Sequence, residues 1–199
     1  SLPVLASLVD KSFLSLTPDG RYHRLPLVIQ YTQEKLADAP EEKTRIEEKH
    51  GLYYLRLVQN PDEIVGRFDG EWPEAARERY RVTKAEFANI RAAWHWAVRE
   101  ARTDELRGPT YYYLGSLQEK LELFSMTVKG LDETNPSHHD MLGVALINQG
   151  DCQSHLGFYK EGRHSIEHGL SLLYATNYVE GILLGLWALG FSARVTGNY

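Results

Sequence analysis

Cysteine is nearly missing from this chain. Cys152 stands alone among 199 residues, which excludes an internal disulfide framework and leaves a small side chain suited to burial. No apolar run reaches the roughly 18 residues of a membrane-spanning helix. The first residues, Ser1-Leu2-Pro3, lack the basic stretch and apolar segment of a signal peptide, so the expected setting is cytoplasmic. A Gly-x-x-x-x-Gly-Lys-Ser/Thr loop occurs nowhere, which excludes ATP hydrolysis as the expected activity. Positive charge is also short: the formal net charge of −5 argues against nonspecific nucleic-acid binding. There is no acid pair beside a Gly-rich loop, no nucleophile elbow and no useful Cys-His spacing. A protein without catalytic residues, cofactor or metal is expected.

Glycine, by contrast, is placed with a rhythm. Pairs seven residues apart recur as Gly108/Gly115, Gly150/Gly157 and Gly190/Gly197, offset by 42 and then 40 residues. That period belongs to stacked helical hairpins. The second glycine of each pair sits in a turn, where a chain leaving a helix needs a positive φ. The large residue two further on, Leu117, Tyr159 or Tyr199, then opens the next helix, with Glu119 and Glu161 in acid-favouring first turns. The first glycine lies mid-helix, where it costs about 1 kcal/mol against alanine, so its recurrence predicts a close helix crossing.

The middle copy, Leu146, Gly150, Gly157, Tyr159, Gly162 and Ile166, resembles the tetratricopeptide repeat family, and Leu186, Gly190, Gly197 and Tyr199 fill the same pattern. The first copy departs from it, with Asp104 at a large apolar position and Pro109 removing a helical hydrogen bond after Gly108. The third copy reaches Tyr199 where its second helix begins, as in a fragment. The resemblance implies a right-handed superhelix with a groove lined by the first helix of each hairpin. Carried over residue by residue, the groove is Tyr112 and Tyr113, then Asn148, Asp151 and His155, then Trp187, Phe191 and Arg194. Aromatic and arginine side chains supply anchoring area for a peptide or protein segment, or a small effector, while Asn and Asp hold backbone groups. The competing reading is inter-repeat core, and Trp187 is expected there.

The first 38 residues read differently. Leu2 to Leu8 predicts an apolar helix, Ser12–Leu16 and Arg21–Leu25 a β-hairpin about the turn Thr17-Pro18-Asp19-Gly20, and Pro26–Leu36 a second helix. Helix, hairpin and helix fit the latter half of a winged-helix domain. Leu8-Val9-Asp10-Lys11-Ser12-Phe13, Gly20-Arg21-Tyr22, Gln30-Tyr31 and Glu34-Lys35-Leu36 resemble the winged-helix module of signal-transduction ATPases with numerous domains, the STAND class. Many of those proteins are bacterial transcriptional regulators that continue into tetratricopeptide repeats. The linker words of that family are matched by Glu86, Asn89, Ile90, Arg91, Ala92, Ala93 and Trp96. The family's hydrophobic-His-acid triplet is replaced by Arg24, Leu25 and Pro26; leucine cannot donate a hydrogen bond to a phosphate, so nucleotide sensing is lost here unless His23 serves.

Between these ends, Glu41 to Val58 predicts one helix and Glu74 to Arg102 another, with Tyr80, Phe87, Ile90, Trp94 and Val98 on one face. Gly66 to Pro73, including Trp72, reads as a loop. Arg77, Arg79, Arg81 and Lys84 are balanced by Glu74, Glu78 and Glu86 as a solvated face. His164 and His168, four apart beside Glu161 and Glu167, could offer two metal ligands, but two are not a site. His138-His139-Asp140 after Asn135-Pro136-Ser137 reads as a helix start.

The expected architecture is mainly α: half a winged helix with one β-hairpin (1–38), a helical linker (39–102) and hairpin repeats forming an α-α superhelix (103–199). The expected function is noncatalytic partner binding within a regulator, with the upstream nucleotide-binding domain as a further partner. Two other classes compete. A DNA reader needs a basic recognition helix, yet Leu2 to Leu8 holds no Lys or Arg. A metal-dependent enzyme rests on His164 and His168 alone.

Overall fold

The computed structural model describes residues 2–18, 20–59, 74–106 and 115–196. These are mainly helical, with one small antiparallel sheet. The chain divides into two compact units, 1–47 and 48–199.

In the first unit, α1 (Leu2–Asp10) packs against β1 (Leu14–Leu16), which pairs with β2 (Tyr22–Arg24) in the register Leu14↔Arg24, Ser15↔His23, Leu16↔Tyr22. The hairpin closes because Gly20 N donates to Thr17 O at 2.9 Å and the Thr17 hydroxyl donates to Arg21 O at 3.0 Å. Extended Leu25 then hands the chain to Pro26, whose fixed φ suits the first turn of α2 (Pro26–Ala37). The hairpin and second helix stand where expected, and Leu25, 52% exposed, offers no polar side chain at the corner before Pro26. α3 (Pro40–Gln59) begins in this unit and ends in the next.

The second unit holds the core. The expected helix from Glu74 to Arg102 is two helices, α4 (Glu74–Ala85) and α5 (Phe87–Arg99), parted at Glu86 with φ −98° and ψ 7°. The Glu86 carboxylate accepts from the Asn89 amide at 2.7 Å beside the first turn of the new helix, and the backbone bonds Glu86 N to Val82 O and Ile90 N to Glu86 O, both 2.9 Å, run on across the break. Exposed pairs join Arg77 to Glu74 and Arg81 to Glu78, as expected of a solvated face. α5 buries Ile90, Ala93, Trp94 and Ala97 against Leu55 of α3 and against Leu123 and Phe124 of α7 (Leu117–Gly130). A short α6 (Thr103–Leu106) lies between them. α7 starts on a capping box, with Glu119 N donating to Ser116 Oγ and Ser116 N to Glu119 Oε2.

Next come α8 (His139–His155), α9 (Tyr159–Thr176) and α10 (Val179–Thr196). α8 is central: it packs against α7, α9 and α10, which is why every residue from Met141 to Ile147 is buried. The turn into α9 has Gly157 at φ 91°, the left-handed conformation expected of it, with Phe158 N bonded to Gln153 O at 2.9 Å.

The α8–α9 contact runs through glycines facing in pairs. A Cβ at Gly162 would lie 2.6 Å from Gly150 O, and one at Gly169 the same distance from Gly143 O. No side chain fits between these backbones. The expected close crossing is therefore found at Gly150. Gly190 differs: its equivalent Cβ meets nothing within 4 Å. Gly108 and Gly197 lie outside the described residues. Among the described residues, no helix is long and apolar enough to cross a membrane.

Candidate functional site

The last two turns of α8 place Asn148, Asp151 and His155 three and four residues apart, hence on one face. Trp187, Phe191 and Arg194 follow the same spacing along α10. Packing of α8 on α10 brings the two rows together. The His155 and Phe191 rings stack with centroids 4.3 Å apart and planes 10° apart. Trp187 extends the stack, 6.2 Å from Phe191 at 19°, and the Arg194 guanidinium sits over the Phe191 ring at 5.6 Å. Trp187, expected in the core, is instead 52% exposed. Helix α10 has only α8 and α9 as packed neighbours among the described elements, so the side bearing Trp187 opens outward.

Beneath this shelf lies a polar group. His155 Nδ1 is 2.9 Å from the Asp151 carbonyl oxygen and 3.4 Å from its Oδ1. A carbonyl only accepts, so Nδ1 is the donor in this bond. Partial burial raises the Asp151 pKa, against the opposing charges of His155 and Lys120. Partial burial likewise lowers that of Lys120, on the first turn of α7, while Cys152 and Asp151 pull it back up. The desolvation of each outweighs their mutual attraction. Cys152 is buried, and its thiol is pushed up to about 12 by burial first and the Asp151 charge second. A thiol held protonated is a poor nucleophile. Iodoacetamide at neutral pH should therefore leave Cys152 unmodified in native protein and alkylate it fully in denaturant, as mass spectrometry would report.

The other expected groove residues divide. Asn148 donates its amide to Val144 O at 2.8 Å, so its nitrogen serves its own helix. Tyr112 and Tyr113 lie outside the described residues. Lys120 was not legible as a site residue, because it follows the turn at Gly115 in the second helix of its hairpin, away from the expected groove lining. Only the seating of α7 against α8 carries it to Asp151.

His138, His139 and His168 make hydrogen bonds around the loop before α8. His168 Nε2 lies 2.9 Å from Glu133 Oε1, which ties α9 to the loop before α8. Asn135 caps a 3₁₀ turn at Pro136–His138, accepting from Ser137 N at 3.1 Å, the helix-start arrangement expected of this stretch. Among the described residues, no three His, Cys, Asp or Glu side chains gather as a metal site. A separate cleft of about 620 Å³ between α5 and α7 is lined by His95, Val98, Arg99, Glu122, Met126 and Lys129.

No family model, curated protein or solved structure matches this chain. The class its geometry defines is a mainly helical protein whose second unit turns a ring stack and half-buried ionisable groups toward one open face.

Proposed function

We propose that the chain is a noncatalytic binding segment whose α7, α8, α9 and α10 stack in the manner of tetratricopeptide repeats and hold a peptide or partner segment against α8 and α10. One observation carries this reading: His155, bonded to Asp151, stacks with Phe191, the stack extends to Trp187, and Trp187 is open to solvent. Ring faces give anchoring area at low entropic cost, and partly desolvated charges discriminate among the polar groups of a ligand. The buried, protonated Cys152 favours binding over chemistry at the same place. The segments resembling a winged helix and its linker support placement within a cytoplasmic regulator of the signal-transduction ATPase kind. There, partner binding would act through different affinities for two states of the parent.

Selection of a displayed random-peptide library on the full chain tests the proposal. Selected peptides should lose about tenfold or more in affinity with His155→Ala, a hot-spot loss of roughly 1.4 kcal/mol or more. Asp151→Asn should change which peptides are selected without changing the circular dichroism spectrum. Peptides that bind both variants as well as the parent chain would place the contact elsewhere and end this reading.

A further inference from the structure

Helices α5 and α7 run parallel and end together. Arg91 lies 3.3 Å from Glu122, the Trp94 indole bonds Thr127 at 2.8 Å, and a Cβ at Gly130 would strike Val98, so the two helices stay in step along the whole contact. The cleft of about 620 Å³ between them follows that register. Its volume falls within the roughly 300–1,000 Å³ of small-molecule sites.

The charges of the cleft are sorted along its length. Glu122 stands at the end where Arg91 already meets it, and Lys129 stands two turns further on, about 10 Å along the helix, level with the last turn of α5 and its Arg99. Arg99 has Glu100 at 2.9 Å, whereas Lys129 and His95 have no hydrogen bond or ion pair among the described residues. Two cations lining one end of a cleft repel unless an anion lies with them. The depth is apolar: Val98 is buried and Met126 half-buried against the core, while His95, Arg99 and Lys129 are exposed at the mouth.

We propose that this cleft binds a small aliphatic carboxylate, its head held by Lys129 and Arg99 and its chain laid on Val98 and Met126. Charge selects the head, since a carboxylate relieves the repulsion between the two cations and an amine would add to it. The floor selects the tail. A bare inorganic anion gains nothing from Val98 and Met126, whereas each buried methylene of a carbon chain is favourable. Gly130 keeps the cationic end open, because any side chain there would crowd Val98. The inference goes beyond the peptide-binding reading and shares no residue with it.

Methionine-methyl NMR of the full chain reports on the cleft, because the chain has two methionines, of which Met126 lines it and Met141 is fully buried elsewhere. Octanoate titrated over about 0.05–10 mM should shift the Met126 signal saturably, with Kd on the order of 0.1–1 mM, and leave Met141 in place. Lys129→Gln should weaken binding about tenfold and Lys129→Arg should keep it. Octylamine, with the opposite charge, and inorganic phosphate, without a tail, should not saturate the Met126 signal in this range. The inference is overturned by an unmoved Met126, by a shift that never saturates, by octylamine or phosphate matching octanoate, or by Lys129→Gln binding as the parent does. Peptides selected on the parent chain should bind Lys129→Gln unchanged, so the two sites stand or fall separately.

Discussion

Trp94→Ala is expected to cost about 3–5 kcal/mol, a large share of the 5–15 kcal/mol that holds a typical domain folded. Trp94 is only 2% exposed, its ring meets Phe124 edge-on at 5.9 Å, and its indole Nε1 donates to Thr127 Oγ1 at 2.8 Å. Truncation removes a large apolar body from the contact of α5 with α7 and leaves a cavity that helices on both sides cannot close. The thermal midpoint should fall by roughly 6–20 °C, at about 2–4 °C per kcal/mol. Thr127→Val separates the polar part of this loss. The Thr127 hydroxyl accepts from the indole and donates to Leu123 O at 3.0 Å, so valine keeps the shape and strands a buried N–H, at about 1–3 kcal/mol. Urea unfolding measures both. A Thr127→Val variant as stable as the parent would show that the indole bond adds nothing net.

Gly150→Ala and Gly190→Ala, the same change at matching places of the repeat, are expected to move stability in opposite directions. Alanine favours an exposed helix interior by about 1 kcal/mol over glycine, and that gain should appear at Gly190, where the space is open. At Gly150 the new methyl would stand 2.7 Å from Ile166 Cγ1 and 3.1 Å from Ile166 N, and closer still to Gly162 O. Backbone cannot step aside as a side-chain end can, so α9 must move as a body. Overpacking of this kind costs about 1–3 kcal/mol and outweighs the propensity gain. Equal effects at the two positions would mean that the α8–α9 glycine contact is not a tight one.

How far the residues alone went depends on how local each signal is. The hairpin about Thr17 and Gly20, the proline start of α2, the capping acid Glu119 and the turn at Gly157 were all legible, because each is set by neighbours a few positions away. The break at Glu86 was not: the apolar spacing runs on through it, and the two helices are parted only by the local backbone turn at Glu86. His155, Phe191 and Trp187 were legible as candidates only through the resemblance to tetratricopeptide repeats, which implies a groove at those positions. Their stacking was not, since it depends on the crossing of two helices joined through a third. The exposure of Trp187 was misjudged for a related reason: a large apolar residue reads as core unless one knows which side of its helix remains uncovered.

By itself, then, the order of residues determined helices of given length, their turns, the absence of a disulfide framework and the glycine rhythm that prepares one close crossing. These follow from dihedral preferences and periodicity, which act within a turn or two of chain. The tertiary structure alone decided that Gly150 is filled and Gly190 open, that Lys120 comes within charge range of Asp151, and that three aromatic rings share one face. Those outcomes rest on which helix surfaces meet, and packing between elements tens of residues apart leaves no mark at either position taken singly.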